Sequence, residues 1–386
     1  MTIDTLLYLT QLEEFNLTRI QNWLTANPHK NIPQIKKKLV RTLKIKLLTF
    51  LLKSLSLFTS PSSALFLALK IIRPLDVIFK KIFVFLAKLK LILFHSHLTT
   101  IVITGSWGKT TLKENLFNLF QSYFTTQATI ANQNTLLGIS RKIITLPANT
   151  QIFIVEAGAY QPGDIQAICR LVKPQHGIIT AIGPMHLERF GTLKNILQTK
   201  LELANCLPSA GHLWLPQNIK TSKTQNVHHF NDINNAYPEI LHLFNLPLPE
   251  NFQPLVANHR QQITQTGSIT IIDDSYNSNP VGFEIALNKL KKIKSKNKIL
   301  VTPGMIELCH LQFSENHRLA KLASIICQQA IIVGQTNRQA LSSGFRKSNT
   351  KVHHATSLLA AQEILSQITT PRSVILFEND LPDHYF

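Results

Sequence analysis

The chain has 386 residues, enough for two or three domains, and 44% of them are apolar, enough for real cores. Its four cysteines, Cys169, Cys206, Cys309 and Cys327, stand far apart with no Cys-x-x-Cys, which argues against a disulfide framework or zinc site and fits a reducing cytoplasm. The formal net charge is +19 and uneven: between Glu14 and Glu114 the only acid is Asp76.

The basic block covers the N-terminal hundred residues. Residues 6–25 read as one amphipathic helix, with no positive n-region or cleavage site of a signal peptide. Residues 47–72 form an apolar run long enough to span a bilayer, interrupted by Lys53, a Ser/Pro centre and Lys70. A shorter run, Ile82 to Phe94, carries Lys88 and Lys90. Lysines alternating with long aliphatic runs, and few aromatics placed for stacking, point to an anionic membrane surface rather than nucleic acid. The segment either spans that membrane or lies in its interface with lysines snorkelling outward. An ordinary helical domain with solvated lysines is the plainer alternative.

Residues 99–111, Thr-Thr-Ile-Val-Ile-Thr-Gly-Ser-Trp-Gly-Lys-Thr-Thr, read as a strand, a tight turn and a helix start. Residues 99–104 are β-branched throughout, which suits a buried strand. Gly105, Ser106 and Gly108 form a turn whose N–H groups can face an anion. Lys109 supplies a positive charge for phosphates, Thr110 a hydroxyl for Mg²⁺, and Thr111 extends the loop into a helix of about 110–124 whose dipole favours the same anion. The loop is shorter than the usual one, since the expected first glycine would fall at Ile103.

This short loop resembles that of the Mur ligases, ATP-dependent amide ligases of peptidoglycan synthesis, and further segments follow in the family's order. Asn132 and Asn134 lie in a stretch similar to one beside the muramyl-peptide substrate. The apolar strand 152–155 ends in Glu156, placed to hold Mg²⁺ at a strand C-terminus. Gly183-Pro-Met-His186-Leu-Glu-Arg-Phe-Gly191, followed by Lys200-Leu-Glu202, closely matches the family's second-metal segment. There the histidine ligates a second Mg²⁺ and the lysine is carbamylated by CO₂, which requires a neutral, pKa-lowered amine. Asn235 corresponds to an adenine contact, with Tyr237-Pro238 interrupting the helix start. Arg260 corresponds to an arginine that reaches the γ-phosphate. Asp273-Asp274-Ser-Tyr-Asn277-Ser-Asn-Pro resembles the loop of the D-Ala-D-Ala-adding members, with Asp274 on the ribose and Asn277 orienting the nucleotide. Gly304-Met305-Ile-Glu307-Leu308 resembles another family loop, while Glu378-Asn379-Asp380 stands where most members carry Lys-Gly-Ser.

The resemblance covers about 99–386 and implies an α/β protein. Its expected parts are a helical, membrane-associated region (1–97), a central ATPase-like parallel-sheet domain (98–257) and a C-terminal Rossmann-like domain (258–386). Strands near 330–333 and 373–378 and helices near 281–294, 314–328 and 356–368 fit the last. The small domain that holds the uridine nucleotide in ordinary members has no counterpart here. The implied catalytic set is Lys109, Lys200, His186 and Arg260, acting on a UDP-muramyl peptide and a dipeptide or amino acid. The alternatives are a poly-γ-glutamate or folate-type ligase of the same superfamily, or a non-catalytic ATP-binding membrane scaffold.

Overall fold

The computed structural model describes residues 1–27, 39–130, 133–223, 225–255, 260–276 and 278–381. Four helices come first: α1 (Ile3–Leu12), α2 (Leu17–Ala26), α3 (Leu43–Leu55) and α4 (Pro61–Phe94). They pack around Leu6, Leu9, Ile20, Leu48, Leu52 and Leu65, a core of their own.

Three expectations for this region change. The single helix over 6–25 is two, because Glu14 and Phe15 take left-handed backbone angles (φ 53° and 61°) and Asn16 then caps α2 by accepting from the Arg19 N–H at 3.1 Å. The apolar run over 47–72 is also broken: α3 ends at Leu55, and Ser60 caps a new helix with Pro61 in its first turn. The run over 82–94 is the second half of that 34-residue helix α4. Among the described residues no helix is long and apolar enough to cross a membrane.

The middle of the chain alternates strands and helices: β1 (Thr99–Thr104), α5 (Lys109–Phe120), β2 (Thr126–Ala128), α6 (Leu136–Ile144), β3 (Ile152–Glu156), α7 (Asp164–Val172), β4 (His176–Ile179), α8 (Leu187–Phe190), α9 (Leu193–Cys206), β5 (Leu213–Pro216), β6 (Val227–Phe230) and α10 (Ala236–Leu243). The sheet runs β2-β3-β1-β4-β5-β6, all parallel. β1 lies at its centre, so Ile101, Val102 and Ile103 are buried on both faces, as their β-branched run requires. Helix α5 stops at Phe120, four residues short of expectation. Pro238 does not interrupt α10; it sits in the first turn, where a missing N–H costs nothing.

The second α/β unit comprises β7 (Gln262–Thr266), β8 (Ile269–Asp274), α11 (Pro280–Lys292), β9 (Lys298–Thr302), α12 (Gln312–Ile326), β10 (Gln329–Val333), α13 (Arg338–Gly344), β11 (Lys351–Ala355), α14 (Leu358–Ile368) and β12 (Val374–Glu378). The order is β11-β10-β9-β12-β8-β7, parallel except for β7, which joins β8 as a hairpin through Gly267 at φ 59°. Helix α4 spans two cores. Its first half closes the N-terminal one, and Val84, Ala87 and Leu91 pack on the core of the central sheet. Lys90 Nζ donates to the Ile144 carbonyl at 2.7 Å, meeting the C-terminal end of α6.

Candidate active site

The turn from β1 to α5 is fixed by its two glycines. Gly105 sits at φ 145°, and a Cβ there would overlap the Thr180 hydroxyl. Gly108 is left-handed at φ 80° and forms the N-cap of α5. The Ser106 hydroxyl bridges the N–H and carbonyl of Gly183, both at 3.1 Å, and Trp107 lies where a Cβ on Gly183 would come within 2.5 Å of its ring. The hydroxyl of Ser106 is therefore spent on the protein, and so is its N–H, which donates to the Ala181 carbonyl at 2.7 Å.

Lys109 folds over this turn, Nζ donating to the carbonyls of Gly105 (2.7 Å) and Ser106 (3.2 Å). Burial pushes its pKa down to about 8, with Glu156 opposing and Arg260 adding to the fall. The charge of Arg260 is thus felt at Lys109 although it comes from the second α/β unit, where its guanidinium stacks 4.7 Å from the centre of the Tyr276 ring. Thr110 and Thr111 begin α5.

Glu156 ends β3, next to β1, and is 3% exposed. Its Oε2 accepts no hydrogen bond, and Lys113 Nζ, fully buried one turn into α5, lies 3.5 Å away. A carboxylate oxygen beside the phosphate turn that accepts no hydrogen bond, ion-paired to Lys113, fits Mg²⁺, which takes one or two carboxylates and completes its shell with phosphate and water. Thr110 and Glu156 are the residues that would hold such an ion. No cluster of three or more His, Cys, Asp or Glu side chains suited to a metal exists among the described residues.

Lys200 projects from α9 and is 4% exposed. A cavity of about 40 Å³ brings it together with Lys109, Gly105, Ser106, Asn134 and His186. Burial first, and then the nearby Lys109 charge, pull the Lys200 pKa down to about 7, against the weaker pull of Asp164 and Glu202. At pH 7 about half of the amine is therefore neutral, the form that adds to CO₂. Glu202, the other end of the Lys-x-Glu pair, is engaged elsewhere. Its carboxylate accepts the N–H groups of Gly163 (2.7 Å) and Gln166 (2.9 Å) at the start of α7.

His186 takes φ 53° just before α8, and its Nδ1 contacts Glu307 Oε2 from the second α/β unit. Burial alone would raise the Glu307 pKa; His186, Arg189 and Arg19 outweigh it and hold the carboxyl below its ordinary value. Arg189 also reaches Glu14 at 3.0 Å and stacks on Tyr160, while Arg19 lies 3.7 Å from Glu307. The turn between α1 and α2 thus closes one wall of a cavity of about 250 Å³ in front of His186.

On the opposite side, Asp274 is buried, accepts the Gln261 N–H at 3.2 Å, and has its pKa raised to about 6 by burial. Its register neighbour on β12 is Glu378, fully buried, which accepts from the Ser278 hydroxyl and whose Oε2 has no partner. Burial, then Asp274, push the Glu378 pKa well up. Asn235 is exposed, at the end of a short 3₁₀ turn before α10. Asn132 and Asn277 lie outside the described residues.

Sequence reasoning leaves Glu307 without a role and misses Lys113, Arg19 and Arg189. The Gly-Lys-Thr-Thr-Leu-Lys spacing does carry a signal for Lys113, since four positions separate it from Lys109 on one helix face.

The Mur ligase middle domain family model matches residues 103–238, and the Mur ligase glutamate ligase domain model matches 259–378. The UDP-N-acetylmuramoyl-tripeptide–D-alanyl-D-alanine ligase of Bacillus subtilis is 26% identical over 261 residues, covering 54% of this chain and 57% of the relative. That of Mycobacterium tuberculosis (strain H37Rv) is 24% identical over 302 residues, covering 62% and 59%. The chain thus spans less than two thirds of the length of these curated relatives. Among solved structures, the MurF ligase of Thermotoga maritima in complex with ADP superposes with a TM-score of 0.69 at 20% identity, covering 78% of this chain and 80% of the other. The bifunctional folylpolyglutamate synthase/dihydrofolate synthase of Yersinia pestis CO92 gives 0.58 at 12% identity, covering 76% and 89%. Both share the fold.

Proposed function

The chain belongs to the Mur ligase family through its middle and C-terminal domains, and on that premise we propose that it is an ATP-dependent, ADP-forming amide ligase that adds D-Ala-D-Ala or a similar amine to a UDP-muramyl peptide. We take 1–97, 98–257 and 258–386 as its three parts. The protein works in the cytoplasm, its basic N-terminal region meeting an anionic membrane surface.

The observation that carries this reading is the pairing of two buried lysines with different roles in one cavity. Lys109, charged at its pKa of about 8, and the loop N–H groups bind the β- and γ-phosphates. Lys200, with its pKa near 7, presents a neutral amine that takes up CO₂ as a carbamate. That converts a buried base into an anion beside His186. Mg²⁺, when bound, offsets the charge of the transferring phosphoryl group.

The reaction then follows. A carboxylate oxygen of the acyl substrate attacks the γ-phosphorus, ADP leaves, and an acyl phosphate forms. The amine nitrogen attacks the acyl carbon, and the tetrahedral intermediate expels phosphate to leave the amide. Arg260, from the second α/β unit, would support the γ-phosphate, and Asp274 would hold a ribose hydroxyl. Asn134, in the cavity with Lys200, faces the acyl substrate.

The second reading is a poly-γ-glutamate or folate-type acceptor, because Glu378-Asn379-Asp380 stands where most family members carry Lys-Gly-Ser and so leaves the amine substrate open. The test is ADP release and product mass with a panel of UDP-muramyl peptides, folates and amines. Turnover with a UDP-muramyl tripeptide and D-Ala-D-Ala supports the proposal. Turnover with glutamate acceptors alone moves the chain to the second reading, and no turnover with any pair favours the scaffold.

A further inference from the structure

Helix α4 carries an apolar stripe that the protein leaves uncovered. Leu75, Ile78, Ile82, Phe85, Leu89 and Ile92 follow at alternating steps of three and four, and all are 41–64% exposed. At 3.6 residues per turn these positions share one face, about 26 Å long. Phe79, Leu86 and Leu93, seven apart, widen it on one side; the exposed Lys81 and Lys88, also seven apart, border the other. The stripe points away from Val84, Ala87 and Leu91, which pack on the central sheet. On the neighbouring helix Leu43 and Phe50 are 79% and 68% exposed.

The regular spacing would also suit a coiled-coil seam with a second copy. Charge decides against that occupant. The only acid in this region, Asp76, is held by Lys44 at 2.9 Å and Lys80 at 3.6 Å. Two copies would therefore bring lysine rows together, or against leucines, with no carboxylate to answer them. An anionic lipid surface supplies both what the stripe and what its border need: an apolar phase and negative headgroups at its edge. Crossing the bilayer is excluded by the other face of the helix, which is packed on the protein and tied to α6 by Lys90.

We infer that the chain docks on anionic membranes through this face of α4, lying in the interface plane rather than through it. This deepens the reading of the N-terminal region as membrane-facing and is independent of the ligase reading.

The test is flotation of the full chain with vesicles of phosphatidylcholine, alone or with about a third phosphatidylglycerol. The full chain floats with the anionic vesicles only. The Lys81→Gln/Lys88→Gln variant binds about tenfold or more weakly with a flatter salt dependence. The Ile82→Glu/Phe85→Glu variant, altered only at exposed positions, stays in the buffer while its circular dichroism and ADP formation in solution are unchanged. Tryptophan fluorescence of Phe85→Trp is quenched by lipids brominated high on the acyl chain. A full chain that ignores both vesicle types overturns the membrane reading altogether. Equal flotation of the Glu variant, or quenching only at the bilayer centre, overturns docking through this face. A concentration-dependent dimer abolished by the Glu variant assigns the stripe to a second copy instead.

Discussion

Lys200 lies within the field of Lys109, in one cavity beneath the phosphate turn, and its pKa falls to about 7 while that of Lys109 is held near 8. Two buried amines a short distance apart cannot both stay charged without cost. The arrangement divides the labour: one remains a cation for phosphate, the other is released as a nucleophile toward CO₂.

That division has a stability signature. The folded-state pKa of Lys200 lies below its unfolded value of 10.5, so the unfolded chain binds more protons between about pH 7 and 10.5. The cost of Lys200 is therefore fully present below pH 7 and fades as pH rises toward 10.5. Denaturant unfolding should find Lys200→Met more stable than the parent at pH 6.5, with the gap closing by pH 10. A gap independent of pH would mean that Lys200 is not buried as a neutral amine.

Activity should follow the same group. Lys200→Ala should lower turnover by about 100-fold or more, the size of effect expected for losing a preorganised charge at the reacting centre, with nucleotide binding retained. Removing CO₂ and bicarbonate should slow the parent and leave the variant unchanged. Steady-state rates in sealed, decarbonated buffer check this, and equal sensitivity of both proteins would remove the carbamate.

Glu202 should behave in the opposite way. It holds two N–H groups at the start of α7 and is not in the Lys109–Lys200 cavity. Glu202→Ala should cost about 1–2 kcal/mol in thermal or denaturant unfolding, as loss of a charged helix cap does, and change the rate little.

How much of this was legible in the sequence depended on range. The β1–Gly105–Lys109 turn was readable because glycine angles, a β-branched strand and a helix start act within a few residues. The broken helix at Glu13–Asn16 was not, because apolar spacing carries across the break and only the left-handed angles of Glu14 and Phe15 reveal it. The Ser/Pro centre of the 47–72 run was visible as an interruption, but that Ser60-Pro61 caps a new helix shows only in the structure. The Glu307–Arg19–Arg189–His186 network joins three distant segments, and no local pattern announces such partners.

Glu378 gives a further pH test. Its folded-state pKa is raised well above 4.5 by burial and by Asp274, so the native chain holds its proton longer than the unfolded one. Its contribution is intact below pH 4.5 and is lost as pH rises through the folded value. Glu378→Gln mimics the protonated acid and should remove this loss, making the variant relatively more stable as pH increases from 5 to 8. Unfolding midpoints across that range would show parallel curves if Glu378 were ionised in the native chain.

The acyl-phosphate route through the Lys109 turn is open to one direct isotope measurement. A UDP-muramyl tripeptide labelled with ¹⁸O in its reacting carboxylate is incubated with ATP and D-Ala-D-Ala, and the released phosphate is weighed by mass spectrometry. An acyl phosphate requires ADP and phosphate carrying one ¹⁸O from the substrate carboxylate, with none formed by Lys109→Ala. Unlabelled phosphate, or AMP with pyrophosphate, would contradict it.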